Sequence, residues 1–352
     1  MVSRDGAAGR REVLRVGAAA VLLGVAGCGS GAARRAGGAT ASAGPASTGS
    51  PGAVTPAPAG SPSGSPSSSP SAPPNPPLPN PPLWQPGPGE LQPDVKRRAV
   101  ELVAALGGWP TGGQGAGAAR ARVAALGLPP ALADRAGPLA PAAPEASLEV
   151  IDAQYGGLLA DSASVLVVCR QWRRQADGSV AEGGTTVDVR LSRAEPRWTV
   201  TDLRPGDPGP AVASPAPAVA RVLAEPRIEL PPEAAADLRS GNVHDSVLEA
   251  MLRLAGPYTL SVSVVRTGHP VDVFGTTRPS DHPLGRAFDV WRIDGRAVVD
   301  PATPRQLVES FMRDAAAAGS YNVGGPVAIA GAGNQFFTDD THHDHVHVGF
   351  NS

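Results

Sequence analysis

The sequence predicts an α+β protein, with two folded domains behind a long unstructured tether. Three observations carry that prediction. The chain holds 43 Gly and 39 Pro in 352 residues, and residues 29–92 concentrate them with Ser in a stretch that has almost nothing to bury. Within 93–206 a helical pattern comes first and four strand-like runs follow, which is an α+β order. Within 218–352 helical and strand-like runs mix, and Asp294-Gly295 is a strong hairpin-turn signal for a small antiparallel sheet with flanking helices.

Taken in order, residues 1–28 read as an export signal. Arg10-Arg11-Glu12-Val13-Leu14-Arg15 resembles a twin-arginine signal, although a basic segment also serves the general export route. The apolar run Val16–Ala26 is too short to span a bilayer and has the length of a signal core. Val25-Ala26-Gly27-Cys28 resembles a bacterial lipobox. That resemblance implies cleavage before Cys28, lipidation of its thiol and anchoring at the extracytoplasmic face of the cell membrane. An ordinary signal peptide with a chance cysteine is the plainer alternative. Residues 29–92, with runs such as Ser61-Pro62-Ser63-Gly64-Ser65-Pro66 and Pro77–Pro82, then form a disordered tether that supplies reach.

The domain at 93–206 is expected to open with a helix capped by Asp94 and running to about Leu106. Helical pieces follow near Ala118–Leu126 and Pro130–Ala136. The strand-like runs are Leu148–Leu159, Ser164–Arg174, Thr185–Arg193 and Arg197–Leu203, with a turn at Asp177-Gly178. In the third, Thr185, Val187, Val189 and Leu191 alternate with Thr186, Asp188 and Arg190. The order faintly resembles cone-shaped, cystatin-like folds. No catalytic constellation stands out here, so a spacer or binding module is the bland reading; a sizeable cavity inside the sheet would make it a small-ligand binder. Cys169 lies in the apolar run Val165–Cys169 and reads as a small buried hydrophobe. With Cys28 lipidated, no intramolecular disulfide remains.

Residues 207–217 are a Pro/Gly/Ala linker. In 218–352 helices are expected near Val219–Leu223, Pro232–Leu238, His244–Leu254 (capped by Asn242) and Pro304–Ala317. Strands are expected at Arg227–Leu230, Tyr258–Val265, Ala287–Ile293, Arg296–Val299, Pro326–Ala330 and from His345 to the end. The net charge of −2 gives no electrostatic case for nucleic acid.

Chemistry concentrates in two stretches. Of seven histidines, five lie in Ser280-Asp281-His282-Pro283-Leu284-Gly285-Arg286-Ala287-Phe288-Asp289 and His342-His343-Asp344-His345-Val346-His347. Imidazole and carboxylate together suit zinc. On a terminal strand His345 and His347 share a face. Asp289 sits on the strand before the Asp294-Gly295 turn, and His282 in a loop stiffened by Pro279 and Pro283. Ligation by His282, Asp289 and His347 leaves the fourth position of a tetrahedral zinc (Zn2+) open, the mark of a catalytic site. A serine triad of Ser280, Asp281 and His282 is excluded, since adjacent residues cannot point all three groups at each other.

The pattern S-x-H-x-x-G-x-A-x-D followed by H-x-x-H-x-H resembles the zinc D-alanyl-D-alanine carboxypeptidases and murein endopeptidases, the group that also holds lysostaphin-type peptidases and the hedgehog domain. It covers roughly the last hundred residues. The resemblance implies zinc on His282, Asp289 and His347, His345 acting at the water or the oxyanion, His342 as the outer histidine (with His343 a competing register), and peptidoglycan stem peptides as substrate. Another branch carries Glu where Asp344 stands, so the base is His345 or Asp344. An Arg upstream of the first motif commonly pairs with the substrate carboxylate; Arg266 is the first choice and Arg278 the second. Ser280 is expected to orient the loop and Asp281 to be surface charge, and His244 and His269 read as structural or surface residues. The competing function is a zinc-containing surface lipoprotein that binds wall peptides or a protein partner without cleaving.

Overall fold

The computed structural model describes residues 76–352 apart from Ala332 and Asn334. The expected signal segment, Cys28 and the tether up to residue 75 lie outside the described residues. The described chain mixes α and β structure around two sheets and forms one compact unit. Among the described residues no helix is long and apolar enough to cross a membrane.

The first sheet comprises β1 (Ala146–Leu158), β2 (Ser162–Arg174), β3 (Val180–Gly183), β4 (Thr186–Ser192) and β5 (Thr199–Pro205). All pairs are antiparallel, in the order β1-β2-β4-β5 with β3 on β2. The four expected strands are present, and the Asp177-Gly178 turn leads into the short β3, which was not expected. Helix α1 (Pro93–Gly107) covers one face, filling it with the fully buried Val95, Leu102, Val103 and Leu106. That packed face holds core, not a ligand pocket. Asp94 is not the cap: Gln92 holds that position, Pro93 starts the helix, and Asp94 sits in the first turn paired with Arg97. Helix α2 (Ala116–Ala125) and a 3-10 turn at Pro130–Arg135 follow α1.

The apolar run in β2 has a tertiary cause. Val165, Val167 and Cys169 face α1, while Leu166 and Val168 pack against Val264, nearly a hundred residues further along the chain. A strand covered on both faces reads as a continuous apolar run. Burial pushes the Cys169 thiol far up, in line with an inert buried side chain.

The second sheet comprises β6 (Ile228–Glu229), β7 (Leu260–Val262), β8 (Ala287–Ile293), β9 (Arg296–Ala297), β10 (Asn322–Gly324), β11 (Phe336–Phe337) and β12 (Val346–Gly349). Its order is β11-β10-β12-β8-β7-β6, with β9 on β8. The β10–β11 and β6–β7 pairs are parallel, so the sheet is mixed and larger than the small antiparallel one expected. Asp294 and Gly295 close the β8–β9 hairpin with φ of 52° and 74°. Helices α3 (Pro217–Ala224), α4 (Pro232–Arg239), α5 (Asp245–Leu254) and α6 (Arg305–Ala317) match expectation closely, although His244, not Asn242, occupies the N-cap of α5. Residues 326–330 form no strand; the chain pairs instead at β10, where Val323 meets Val348. Along β8 and β12, Phe288, Val290, Val346 and Val348 join the helix-side core, so the intervening Asp289 and His347 point to the other face, where Gln154 of β1 meets Asp289.

Residues 76–92 correct the tether boundary, because they are bound to the folded unit. Arg174 Nη2 donates to Pro76 O at 2.7 Å, Trp84 packs on the first core, and the Tyr155 hydroxyl donates to Leu91 O at 2.9 Å. An extended Pro-rich strand has no internal hydrogen bonds, so its carbonyls are free to accept from side chains.

Between α4 and the loop after β7, Thr267 Oγ1 lies 2.7 Å from both Glu233 Oε1 and Asp237 Oδ1. One hydroxyl has one proton to give. Asp237 also accepts from the backbone N–H groups of Arg266 and Thr267, so the one hydroxyl proton is shared between two buried carboxyl groups and Glu233 is the less well supplied with donors to its charged form. Burial accordingly pushes Glu233 from an ordinary 4.5 to about 7. Between those values the folded chain holds a proton the unfolded chain has released, so stability falls as pH rises through that window. Glu233→Gln mimics the protonated form. It is expected to flatten that fall and add about 2–3 kcal/mol at pH 8, read from urea unfolding at several pH values; an unchanged pH slope would show that Glu233 is not the titrating group.

Candidate metal centre

Register builds the centre. Asp289 on β8 and His347 on β12 are directly opposed, and cross-strand neighbours on one face meet. His282 arrives from the loop before β8. Gly285 N–H donates to His282 O at 2.8 Å, and Gly285 has φ of 71°. A Cβ there would lie 1.9 Å from Asn242 O, so this tight turn against the loop before α5 requires glycine.

His282 Nε2, His347 Nδ1 and Asp289 Oδ1 lie 3.1 Å from one another on every side. Tetrahedral zinc with bonds of about 2.0–2.1 Å separates its ligand atoms by about 3.3 Å, so this triangle fits three ligands of one ion. The protonation pattern also fits. His282 Nδ1–H donates to Val265 O at 2.8 Å, which leaves the Nε2 lone pair facing the triangle. Burial drives His347 down to about 4, leaving a neutral imidazole. All three residues are buried.

His269 is a second neighbour whose donor atom gathers with those of His282 and Asp289. Its ring stacks on His282, centroids 4.1 Å apart and planes 19° apart. Stacked rings hold their lone pairs in nearly parallel planes, which suits His269 less well than His347 as a third donor beside His282. His269 Nδ1 lies against Pro270 O and Ser280 Oγ, and it reads as a packing partner of the ligand. Glu90, His343 and Asp344 also cluster, but there the cation is already present: Lys96 Nζ is 2.6 Å from Asp344 Oδ2 and pairs with Glu90.

The late histidines divide sharply. His345 Nδ1–H donates to Asp344 Oδ1 at 2.6 Å, and its Nε2 points at the triangle, 3.7 Å from Asp289 Oδ2. Burial pushes His345 down, but Asp289 and Asp344 more than offset it and raise the imidazole to about 8. Asp344 turns away. Its Oδ2 accepts from Lys96 and from Tyr155 N–H at 3.0 Å. Burial acts against its ionised form, yet Lys96 and His345 hold the carboxyl well below the usual carboxylate range. His342 lines the cleft, its ring 5.1 Å from that of His345, whereas His343 is tied to Asp340 O and Leu91 N–H. Of the two, His342 is the one that faces the cleft.

A cleft of about 850 Å³ opens over the triangle, bounded by His342, His345, Arg278, Tyr321 and the Gly156–Leu158 end of β1. Gly157 lets the Phe274 ring lie against the strand, where a Cβ would stand 2.2 Å from it. Ser280 lines this cleft beside His269.

Two expectations are corrected. Arg266 does not reach the cleft: its guanidinium donates to Pro208 O at 2.8 Å and lies 3.6 Å from Asp237, because the end of its strand turns back to α4. Arg278 lines the cleft instead, exposed and without an ion-pair partner among the described residues. Asp281 is not surface charge but buried, accepting from the Tyr321 hydroxyl at 2.6 Å and from Arg286 Nη2 at 2.9 Å.

Helix α1 and strand β1 contribute residues that the motifs did not indicate. Gln154 Nε2 donates to Asp289 Oδ2 at 2.6 Å, and Ser263 Oγ donates to Gln154 Oε1. Lys96 and Tyr155 attend to Asp344, and Thr341 Oγ1 accepts from Leu158 N–H at 3.1 Å. The available signal was faint: a lysine on the apolar face of α1, and polar residues at alternate positions of β1.

Comparison with protein-family models, with curated proteins and with solved structures finds no match.

Proposed function

We propose that the chain is a zinc-dependent hydrolase of peptide bonds in peptidoglycan stem peptides, held at the extracytoplasmic face of the membrane by a lipid on Cys28. The observation that carries this reading is the ligand triangle with His345 Nε2 beside it under an open cleft. The two motifs and their resemblance to zinc D-alanyl-D-alanine carboxypeptidases and murein endopeptidases supply the substrate class, and they favour a peptidase-like second domain behind a cone-like first one. A zinc ion on His282, Asp289 and His347 would supply a Lewis acid and bring the pKa of water toward about 7.

The remaining roles belong to side chains. His345, aligned through Nδ1 by Asp344, would in its neutral form, which predominates above about pH 8, take the proton of the attacking water at Nε2 and return it to the leaving amine. The tetrahedral oxyanion is stabilised from the His342 side of the cleft. Arg278 offers a bidentate partner to a terminal carboxylate, which favours the carboxypeptidase form over the endopeptidase. Asp344 is an orienting group in this reading, and His345 is the base.

The test is digestion of purified muropeptides by the zinc-loaded protein, followed by mass spectrometry. Loss of a terminal residue, stopped by chelator and restored by zinc, is the expected result. Intact muropeptides after long incubation with zinc-loaded protein would remove the hydrolase reading.

A further inference from the structure

We propose that Gln154, carried by the first domain, is a positioning residue of the metal centre, so that the two domains form one catalytic unit. The inference rests on the zinc reading above and assigns the first domain a part in it. Gln154 Nε2 reaches across from β1 to Asp289 Oδ2 at 2.6 Å, while Asp289 Oδ1 is the oxygen 3.1 Å from both histidine nitrogens. A donor on one carboxylate oxygen leaves the other to ligate, which makes Asp289 a one-oxygen ligand with fixed rotation.

The amide itself is held one way round. Ser263 Oγ donates to Gln154 Oε1, and a flipped amide would set its oxygen against the carboxylate. Gln154 and Ser263 are both buried, so water does not replace either contact cheaply. The adjoining residue works in the same direction. β1 is the edge strand of its sheet, and its N–H groups at Tyr155 and Leu158 go to Asp344 and Thr341 rather than to another strand. Two successive residues of one strand thus address the ligand Asp289 and the carboxylate that aligns His345.

The experiment compares full-length wild type with Gln154→Met, which keeps length but has no donor, and with Ser263→Ala, which keeps the donor but frees its amide. Zinc affinity is measured by competition with a chromophoric chelator, and the visible absorption is recorded for cobalt(II)-loaded protein. Gln154→Met is expected to weaken zinc binding about 10–100-fold and to change the cobalt spectrum, because Asp289 can then rotate or ligate through both oxygens. Ser263→Ala is expected to give the same spectral change with a smaller loss. A folded Gln154→Met protein with zinc affinity within about twofold of wild type and an unchanged spectrum overturns the inference. If Gln154→Met does not fold, an unchanged Ser263→Ala protein overturns it equally. Wild type that takes up no zinc overturns this inference together with the proposed function, whereas wild type that binds zinc but cleaves nothing overturns only the latter.

Discussion

His345→Ala is expected to leave zinc binding intact and to lower muropeptide cleavage by about 10²–10⁴-fold, the span that a positioned general base contributes. The expectation follows from where the nitrogens point. His345 gives Nδ1–H to Asp344 and presents Nε2 beside the ligand triangle, without belonging to it. Removing the ring therefore leaves the mutual 3.1 Å spacing of His282, Asp289 and His347 untouched. His347→Ala is the contrast. It takes away a ligand, and two remaining protein donors do not make the three-ligand catalytic zinc site, so zinc and cleavage disappear together. Asp344→Asn tests the tie between Asp344 and the His345 ring. An amide at that position no longer attracts the Nδ1 proton as a carboxylate does, so the imidazole loses its preferred tautomer and cleavage falls while zinc stays bound. Elemental analysis alongside product mass spectrometry reads all three variants. Full cleavage by His345→Ala would sink the assignment of the base, and zinc retained by His347→Ala would sink the ligand set.

How much of this centre was legible depends on the distance over which each relation acts. His282, Gly285 and Asp289 lie within one short loop and strand, where spacing alone constrains geometry, and His345 and His347 follow the two-residue period of a strand. The facing of Asp289 and His347 toward one side could be read from the valines alternating with them. The partners of those residues could not. Gln154 is 135 positions from Asp289, and Tyr155 is 189 positions from Asp344. Their polar character on β1 is equally consistent with a strand face in water until β8 and the His345 segment are seen to cover it. Arg266 illustrates the same limit from the other side. The end of a strand near the motif is a sound place for a carboxylate partner, but Asp237 on α4 captures the guanidinium. The choice between Arg266 and Arg278 is thus a tertiary fact. The continuous apolar run in β2 was correctly read as strand, but its cause, burial on both faces between α1 and Val264, belongs to tertiary packing.

Lys96→Met is expected to destabilise the chain by about 3–5 kcal/mol, the cost of leaving a buried ion pair with one partner missing. Lys96 is fully buried on α1, 2.6 Å from Asp344 and paired with Glu90, and Asp152 also acts on it electrostatically. Three carboxylates around one ammonium already strain the balance: burial raises Glu90 to about 6 and Asp152 to about 7, with Lys96 pulling each back. Without the ammonium, Asp344 keeps only the Tyr155 N–H and His345 as partners. At about 2–4 °C per kcal/mol for a chain of this size, the melting temperature should fall by roughly 10 °C. Activity should fall further than stability, because an Asp344 that takes up a proton to relieve its burial no longer aligns His345. The double variant Lys96→Met/Asp344→Asn tests that coupling. Removing both members of the pair leaves no unpartnered charge at Asp344, so part of the lost stability returns while cleavage stays low. Calorimetry and muropeptide assays on the two variants distinguish this from a general packing defect, in which the second substitution adds its own loss. A Lys96→Met protein that melts within about 2 °C of wild type and cleaves normally would show that the ammonium neither holds the domain contact nor sets the charge behind His345.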